Sequence, residues 1–328
     1  MFGRHSIFKK ASLNYTDKDE SENKNLENNS GLDNEITVDD KKELNFEKSF
    51  YPSKKETYSS GLSLEDKLLL VLKGCSLGDS CGLSLESSSP TECKNVLDEI
   101  LLYDNSDFDV SDDTVLTVAS CNAIIKQQTY ESVYRKYGKK YPDCGFGQGF
   151  IAWLNGKCDL NSCGNGSAMR VSPCGCLENV EDVVHEAYLS AITTHKHPEG
   201  IKGAIAIAVC IWMIFHGYSK DDVEEYGKRI YPDSPYLTQK FPELFDFPKV
   251  YGNPCTCQIT VPLAIACFVN SISYEDCILK AILLGWDTDT QAAIAGSLAM
   301  AYYKKCSSVG EHTWAEIKNR NKDLFIVE

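Results

Sequence analysis

The stretch GAIAIAVCIWMIF, at residues 203–215, carries no charged side chain and is apolar almost all the way round a helix. It is shorter than the roughly 20 residues that a helix needs to span a bilayer. Pro198, a few residues earlier, suits the first turn of a helix. Because a helix that is hydrophobic on every side must be enclosed by other elements, this stretch predicts a buried core helix in a many-helix domain.

Helical spacing of apolar residues continues on both sides of this core stretch. Ser63 can cap a helix whose apolar residues, beginning with Leu64 and Leu68, share one face. Alternating runs of strand length, rich in Val, Ile and Thr, are nearly absent. We therefore expect an all-α fold in a single domain over residues 61–328. Further helices are predicted at 114–128, 130–140, 180–194, 198–216, 220–229, 259–270, 274–284 and 290–305.

Residues 1–60 differ in composition from the rest of the chain. They contain many Asn, Ser and Lys residues, a high density of charge and no cysteine. Such a segment cannot bury enough apolar surface to offset the entropy lost on ordering, so we predict that 1–60 is disordered. Residues 1–16 are basic and lack acids, which weakly resembles a transit peptide and leaves organelle targeting as an alternative.

The overall composition excludes several classes of protein. Hydrophobic residues make up 43% and charged residues 24%, which is typical of globular domains and not of collagen or coiled coils. The net charge of −14 argues against nucleic-acid binding through a basic face and suits the binding of cations. The 15 scattered cysteines indicate reduced thiols in a cytoplasmic type of compartment. We expect no membrane span, and a monomer, since the apolar helices can be buried within one chain.

Two acidic clusters lie far apart in the sequence, each directly before an apolar helical stretch. They are SDDT at 111–114 and DTDT at 287–290. Helix capping could explain either cluster alone. If the two helix starts face each other, however, four carboxylates crowd together and raise one another's pKa. A hard divalent cation such as Mg²⁺ would relieve this repulsion, and two ions about 4 Å apart could share a carboxylate.

Two further motifs are glycine-rich. GDSCG at 78–82 is followed by Glu86; a helix that ends at Gly78 and a close backbone crossing at Gly82 would explain its glycines without any function. GNGS at 164–167 offers successive N–H groups for an anion, with Arg170 as a counter-charge, although it could also be only a turn.

The remaining candidates are weaker. FGQG at 146–149 is a second possible anion turn. His195 and His197 are badly spaced as a helical metal pair, so a His that hydrogen-bonds or stacks beside a ligand is the better interpretation. The Cys-x-Cys pairs at 174–176 and 255–257 lack the spacing that is usual for structural zinc.

Together and in this order, the motifs resemble the ADP-ribosylglycohydrolase family. The resemblance implies an orthogonal, many-helix, all-α bundle. It implies a Mg²⁺-dependent hydrolase that cleaves the bond at C1″ of the distal ribose, with an ADP-ribosylated protein or another ADP-ribose conjugate as its partner. The matching segments are GDSCGLSLE (78–86), SDDT (111–114), GNGSAMRVSPCG (164–175), THKHPEGIKGA (194–204) and GWDTDTQAAIAG (285–296).

The resemblance also assigns roles to individual residues. The implied ligands of two Mg²⁺ ions are Ser111, Asp112, Asp113, Asp287, Asp289 and Thr290. The implied catalytic residues are Glu86, Asp112, Asp113 and Asp287. The implied contacts to the diphosphate and ribose are Gly147, Gly149, Asn165, Gly166, Ser167 and His195. Trp286 stands where the family has glycine, so it is expected to narrow the site or to stack on the ribose or the acceptor.

Two other functions stay open at this point, as does a purely structural use of the fold, which would show no metal dependence. Trp286 could block the acceptor, which would make the protein a catalytically silent ADP-ribose-binding module. The site could instead serve a Mg²⁺-dependent hydrolase of free nucleotides. The acceptor itself, whether Arg, Ser, another side chain or a nucleic-acid base, has no code in the sequence that we can apply.

Overall fold

The computed structural model describes residues 48–53, 60–96, 109–157, 161–238 and 253–325, and within these ranges it contains helices and no β-strand. The all-α prediction is therefore confirmed. The first seven α-helices are α1 Leu64–Leu83, α2 Pro90–Asn95, α3 Asp112–Lys126, α4 Tyr130–Lys140, α5 Gln148–Leu154, α6 Gly166–Met169 and α7 Val180–Ile192. The others are α8 Pro198–Phe215, α9 Lys220–Ile230, α10 Cys257–Val269, α11 Tyr274–Leu283, α12 Thr288–Tyr303, α13 Ser308–Arg320 and α14 Lys322–Phe325.

Helix α8 is the buried centre that the opening stretch predicts. Its residues from Gly203 to Phe215 are all buried, and the ring of His197 caps its start by accepting a hydrogen bond from the Glu199 N–H at 3.1 Å. By length and composition this one helix of the described residues could also cross a membrane, but 78% of it is buried inside the protein. It has the environment of a core helix.

Helix α1 begins after Ser63, as expected, and it ends later than Gly78, where one interpretation of the sequence placed its end. Ser63 and Asp66 form a reciprocal capping box, in which the Ser63 hydroxyl accepts from the Asp66 N–H and the Asp66 carboxylate accepts from the Ser63 N–H. The helix continues through Gly78 to Leu83, so the possibility that Gly78 ends it is wrong.

The glycines of α1 instead allow a very close crossing with α12. A Cβ added at Gly78 would lie 2.1 Å from the carbonyl oxygen of Ala292, and one added at Gly82 would lie 2.4 Å from that of Thr288. The Thr288 hydroxyl donates a hydrogen bond to the Gly82 carbonyl at 2.8 Å, which fixes the register of the two helices. The crossing thus sets the distance between the second half of α1 and the start of α12.

Residues 48–53 depart from the prediction of a disordered segment 1–60. Their backbone carbonyls accept hydrogen bonds from side chains of the domain: Tyr226 donates to Phe50 at 3.1 Å, and Arg229 donates to Tyr51 at 2.8 Å. These side chains provide hydrogen-bond donors for the backbone carbonyls, and amino-acid composition alone could not predict such contacts. Residues 1–47 and 54–59 lie outside the described residues. They include the possible targeting segment 1–16.

Helix α13, near the C-terminal end of the described residues, was missed by the sequence prediction. Its sequence is mostly polar and exposed, and only Gly310, Thr313, Trp314 and Ile317 are buried. So narrow an apolar stripe gives little helical periodicity to detect.

Substitution of Gly78 by Ala tests the close crossing. Because the new methyl group would overlap backbone atoms of α12, the two helices must separate, and we expect a loss of about 1–3 kcal/mol in the free energy of unfolding. Chemical denaturation measures this loss. Gly149→Ala is the matched control, since an added Cβ there meets nothing within 4 Å. Equal stability of the two variants would contradict the account.

Candidate active site

The acidic clusters meet where α1, α3 and α12 come together. One carboxylate oxygen each from Asp79, Asp113 and Asp289 lies within 4.8 Å of the others, and all three residues are buried. Asp113 belongs to the SDDT cluster and Asp289 to the DTDT cluster. The structure therefore brings together the two helix starts that the sequence separates, as expected. We call these three residues the carboxylate cluster.

Asp79 is the member that sequence analysis missed. Its Oδ2 atom accepts hydrogen bonds from the N–H groups of Ser111 at 2.9 Å and Thr114 at 3.1 Å, and from the Thr114 hydroxyl at 2.5 Å. Asp79 thereby holds the start of α3 against α1. A carboxylate between Gly78 and Gly82, on a helix packed into the core, was the available signal.

Asp113 has one satisfied and one unsatisfied carboxylate oxygen. Its Oδ2 accepts from the hydroxyls of Ser111 at 3.0 Å and Thr290 at 3.3 Å. Its Oδ1 is buried and has no hydrogen-bond partner among the described residues. A buried oxygen without a donor costs free energy unless a ligand such as a cation meets it.

Asp287 and Asn165 join the glycine-rich loop to the acids. The Asn165 side-chain amide donates to Asp287 Oδ2 at 2.6 Å and to the Thr260 hydroxyl at 3.0 Å. Asp289 accepts the Thr290 N–H at 2.8 Å. Since Asn165 directly precedes α6, these bonds place the start of that helix beside the carboxylates.

Burial and mutual repulsion raise the pKa of every acid at this point. Burial first, and then the charge of Asp289, raises the pKa of Asp79 to about 7. Burial and then Asp287 raise the pKa of Asp289 to about 7. The pKa values of Asp112 and Asp113 are well above the usual range, again because of burial first and Asp289 second.

The donor set fits a hard divalent cation. Every candidate ligand is an oxygen atom, and one of them, Asp113 Oδ1, is buried without a partner. Mg²⁺ prefers such carboxylate and hydroxyl oxygens and would remove the repulsion that raises the pKa values. The geometry thus suits at least one such ion among Asp79, Asp113 and Asp289.

Glu86 reaches the same region from the loop after α1. Burial first, and then the charges of Asp289 and Asp79, raise its pKa to about 7. The backbone beside it is paired with the segment before Asp287: the Ser87 N–H donates to the Trp286 carbonyl at 2.5 Å, and the Trp286 N–H donates to the Ser88 carbonyl at 2.6 Å.

Trp286 itself is 45% exposed and has a left-handed backbone, with φ of 69°. This conformation is costly for a bulky residue. Gly285 before it, with φ of 75°, could not carry a side chain, since a Cβ would lie 2.6 Å from the backbone nitrogen of Pro90.

The expected substrate contacts divide into three groups. Gly147 and Gly149 are exposed at the start of α5, close in sequence to Gly145, where an added Cβ would lie 3.8 Å from Asp112 Oδ1. Asn165 donates to Asp287, and Gly166 lies beside the ring of His195, where an added Cβ would be 3.2 Å from Cε1. The hydroxyl of Ser167 is buried and donates to the Gly200 carbonyl at 2.8 Å, so this hydroxyl holds α6 against α8.

Arg170 does not supply the counter-charge that the sequence suggested. It is fully buried, and its guanidinium lies 4.3 Å from the centre of the Tyr134 ring. Arg170 directly follows α6, and its guanidinium donates to the Ser190 carbonyl of α7 and to the Thr194 hydroxyl, so its charge is held in the interior.

Comparison with known proteins agrees with this arrangement. A family model described as ADP-ribosylglycohydrolase matches residues 60–322. ADP-ribosylhydrolase ARH3 of Mus musculus is 28% identical, with 71% of this chain and 82% of the relative covered. The Homo sapiens protein of the same name is 27% identical, with 71% and 84% covered. A solved structure described as an ADP-ribosylglycohydrolase-related protein complex has a TM-score of 0.59 at 18% identity and covers 80% of this chain and 98% of its own; the expected fold is therefore confirmed.

Mg²⁺ and pH should both affect the stability of the protein, and their effects should depend on each other. The folded-state pKa values of Asp79 and Asp289 are about 7, above their ordinary values, so their contribution to the stability of the metal-free protein is lost as pH rises towards and through 7. We expect the melting temperature to fall between pH 5.5 and pH 8 in EDTA, and Mg²⁺ to raise it more at pH 8. Differential scanning fluorimetry measures both effects.

Asp113→Asn provides the decisive comparison for this test. Removal of one charge should raise the metal-free melting temperature at pH 8 and abolish most of the Mg²⁺-dependent increase. Asp233→Asn, at an exposed position, should leave the increase intact. An identical Mg²⁺ response of the two variants would remove Asp113 from the metal site.

Proposed function

The chain belongs to the ADP-ribosylglycohydrolase family, and we propose that it hydrolyses the bond between C1″ of the distal ribose of ADP-ribose and an acceptor group, with Mg²⁺ as cofactor. The observation that carries the proposal is the buried cluster of Asp79, Asp113 and Asp289, joined through Asp287 and Asn165 to the glycine-rich loop. The ADP-ribosylhydrolases of mouse and human support it, since this chain covers more than four fifths of each.

The residues proposed to hold two Mg²⁺ ions share oxygen ligands and proximity to the carboxylate cluster. They are Ser111, Asp112, Asp113, Asp287, Asp289 and Thr290, with Asp79 as the added candidate. Bound Mg²⁺ would supply the charge that orients the ribose hydroxyls and so would hold the sugar in position for attack at C1″. The unpartnered Oδ1 of Asp113 is the atom of this set that most needs a cation.

Glu86 is proposed to move the proton of the reaction. Hydrolysis breaks the bond from C1″ to the acceptor, forms a bond from C1″ to the oxygen of water, and transfers one proton from water to the acceptor. A carboxyl group whose pKa is near 7 can both take and give a proton at neutral pH. Glu86 has a pKa of about 7 because its surroundings disfavour the charged form and because the charges of Asp289 and Asp79 repel it.

The remaining acids are proposed to stabilise the positive charge that develops on the sugar in the transition state. An oxocarbenium-like transition state places positive charge on C1″ and the ring oxygen, and nearby carboxylates stabilise that charge. Asp112 and Asp287 are the candidates for this role. The N–H groups of Gly164 and Asn165 already donate to Ser162 and to Cys255, so those of Gly166 and Ser167, at the start of α6, are the ones proposed to bind the diphosphate.

The proposed partner is an ADP-ribosylated protein side chain, and a direct assay tests this function. Arg-linked and Ser-linked ADP-ribosyl peptides are incubated with the protein in Mg²⁺ or in EDTA, and released ADP-ribose is measured. We expect release from at least one peptide in Mg²⁺ only. Asp289→Asn should reduce the rate at least 100-fold, whereas Asp233→Asn should not change it. Release in EDTA at an unchanged rate would contradict the metal-dependent reaction.

Substitution of Trp286 distinguishes the proposed enzyme from a catalytically silent ADP-ribose-binding module. Because glycine adopts a left-handed backbone without strain, Trp286→Gly should retain the fold. If the indole narrows the acceptor side, the variant should change KM for the conjugates by several-fold, with little change in Kd for free ADP-ribose. Isothermal titration and the peptide assay measure these values. Turnover that is present only in Trp286→Gly would instead favour the silent module, and cleavage of free nucleotides alone would favour the nucleotide hydrolase.

A further inference from the structure

A buried row of three polar side chains lies behind the glycine-rich loop. The Nη2 atom of Arg170 donates to the Thr194 hydroxyl at 2.6 Å and to the Ser190 carbonyl at 3.0 Å. The Thr194 hydroxyl lies 2.7 Å from Nδ1 of His195. These contacts run from the interior, at Arg170, to the edge of the loop, at His195. We call the three residues Arg170, Thr194 and His195 the relay.

The chemistry of the three groups fixes the direction of these bonds. A guanidinium can only donate, so the Thr194 oxygen accepts from Arg170. The Thr194 hydroxyl is buried, and among the described residues its hydrogen has no acceptor other than Nδ1 of His195. If Nδ1 carried the proton instead, a buried hydroxyl hydrogen would have no partner, which is costly. Nδ1 is therefore the acceptor, and the ring proton lies on Nε2.

The imidazole stays neutral in this environment. Burial first, and the positive charge of Arg170 second, lower the pKa of His195 to about 3. A neutral ring has one donor and one acceptor nitrogen, so the identity of the donor matters for any ligand. Arg170 has no hydrogen-bond partner at Nε or Nη1 within the described part of the chain, so the relay contacts are a large part of what holds it.

The Nε2 edge of the ring lies beside two glycines of the loop, which have no side chain to cover it. A Cβ added at Gly164 would lie 3.4 Å from Nε2, and one added at Gly166 would lie 3.3 Å away. No described protein group accepts a hydrogen bond from Nε2. Asn165, between the two glycines, is bonded to Asp287 of the acidic site. A ligand oxygen in front of this loop would therefore be within reach of both the acids and Nε2.

We propose that Arg170 and Thr194 are positioning residues that hold His195 in the Nε2–H tautomer, so that Nε2–H donates to an oxygen of the diphosphate or ribose of the bound ligand. This inference rests on the proposed function for the identity of the ligand, but the tautomer is a property of the protein alone. Arg170 acts from the interior, which explains why a charged residue of the loop motif is buried behind the site.

Nitrogen NMR of His195 in protein labelled with ¹⁵N-histidine tests the tautomer directly. The chain has 6 histidines, and the His195→Gln variant identifies the signals of this ring. We expect an Nε2–H signal and an unprotonated Nδ1 in the wild type. Thr194→Val removes the hydroxyl at nearly constant shape and should produce a mixture of tautomers, while Thr194→Ser should restore the wild-type spectrum.

The neighbouring threonine is a matched control. The Thr193 hydroxyl donates to the Leu189 carbonyl of its own helix at 2.9 Å and takes no part in the relay. Thr193→Val should leave the tautomer unchanged. An Nδ1–H signal in the wild type, or an unchanged Nε2–H signal in Thr194→Val, would overturn the proposal.

Binding of ADP-ribose tests the second half of the inference. Thr194→Val should raise Kd by about tenfold, the equivalent of one lost hydrogen bond. Thr193→Val and Thr194→Ser should stay within about threefold of the wild type. Equal affinity of Thr194→Val and the wild type would overturn the role of Nε2–H. Failure of the wild type to bind ADP-ribose would overturn the proposed function and the ligand contact together, while the NMR spectra would still decide whether the relay exists.

Discussion

The close approach of α1 to α12 determines where the carboxylates lie. With no Cβ at Gly78 and Gly82, the backbones of the two helices touch, and Asp79 is carried into contact with the start of α12. Thr288 locks the register through its bond to the Gly82 carbonyl. Backbone contact of this kind leaves little freedom for sliding, since protein interiors are close-packed. Any change that widens the crossing would therefore move Asp79 away from Asp289.

The same crossing forces together groups that repel one another. Burial and mutual charge raise the pKa of Asp79 and Asp289 to about 7, so the metal-free site is least favourable when every acid is ionised. The free energy that holds the acids in place must come from the surrounding packing, in which α1 and α12 cross and α8 packs against α12. A functional site is commonly destabilising in this sense, and a ligand that binds only the folded state offsets the cost.

The sequence predicts the fold and the meeting of the acids because both depend on strong local patterns. An apolar run such as 203–215 has few alternatives to burial, and acids placed before two apolar helices must lie near helix starts. The orientation of single side chains is a different matter. Ser167 and Arg170 belong to the loop motif, yet both side chains are buried and bonded to protein groups. Asp79 was missed because its role depends on a helix crossing that only tertiary structure defines.

The strained pairing beside Glu86 links two parts of the site that are far apart in sequence. Ser87 and Trp286 both have left-handed backbones, with φ of 69° each, and neither is glycine. Strain of this kind persists only where the surroundings over-determine the conformation, and here reciprocal backbone bonds do so. Because Trp286 directly precedes Asp287, a movement of the Glu86 loop would also displace Asp287, which directly precedes α12. The position of the proposed proton-transfer group is thus coupled through the backbone to the proposed metal ligands, and Asn165, between the two glycines that lie beside His195, is bonded to one of them.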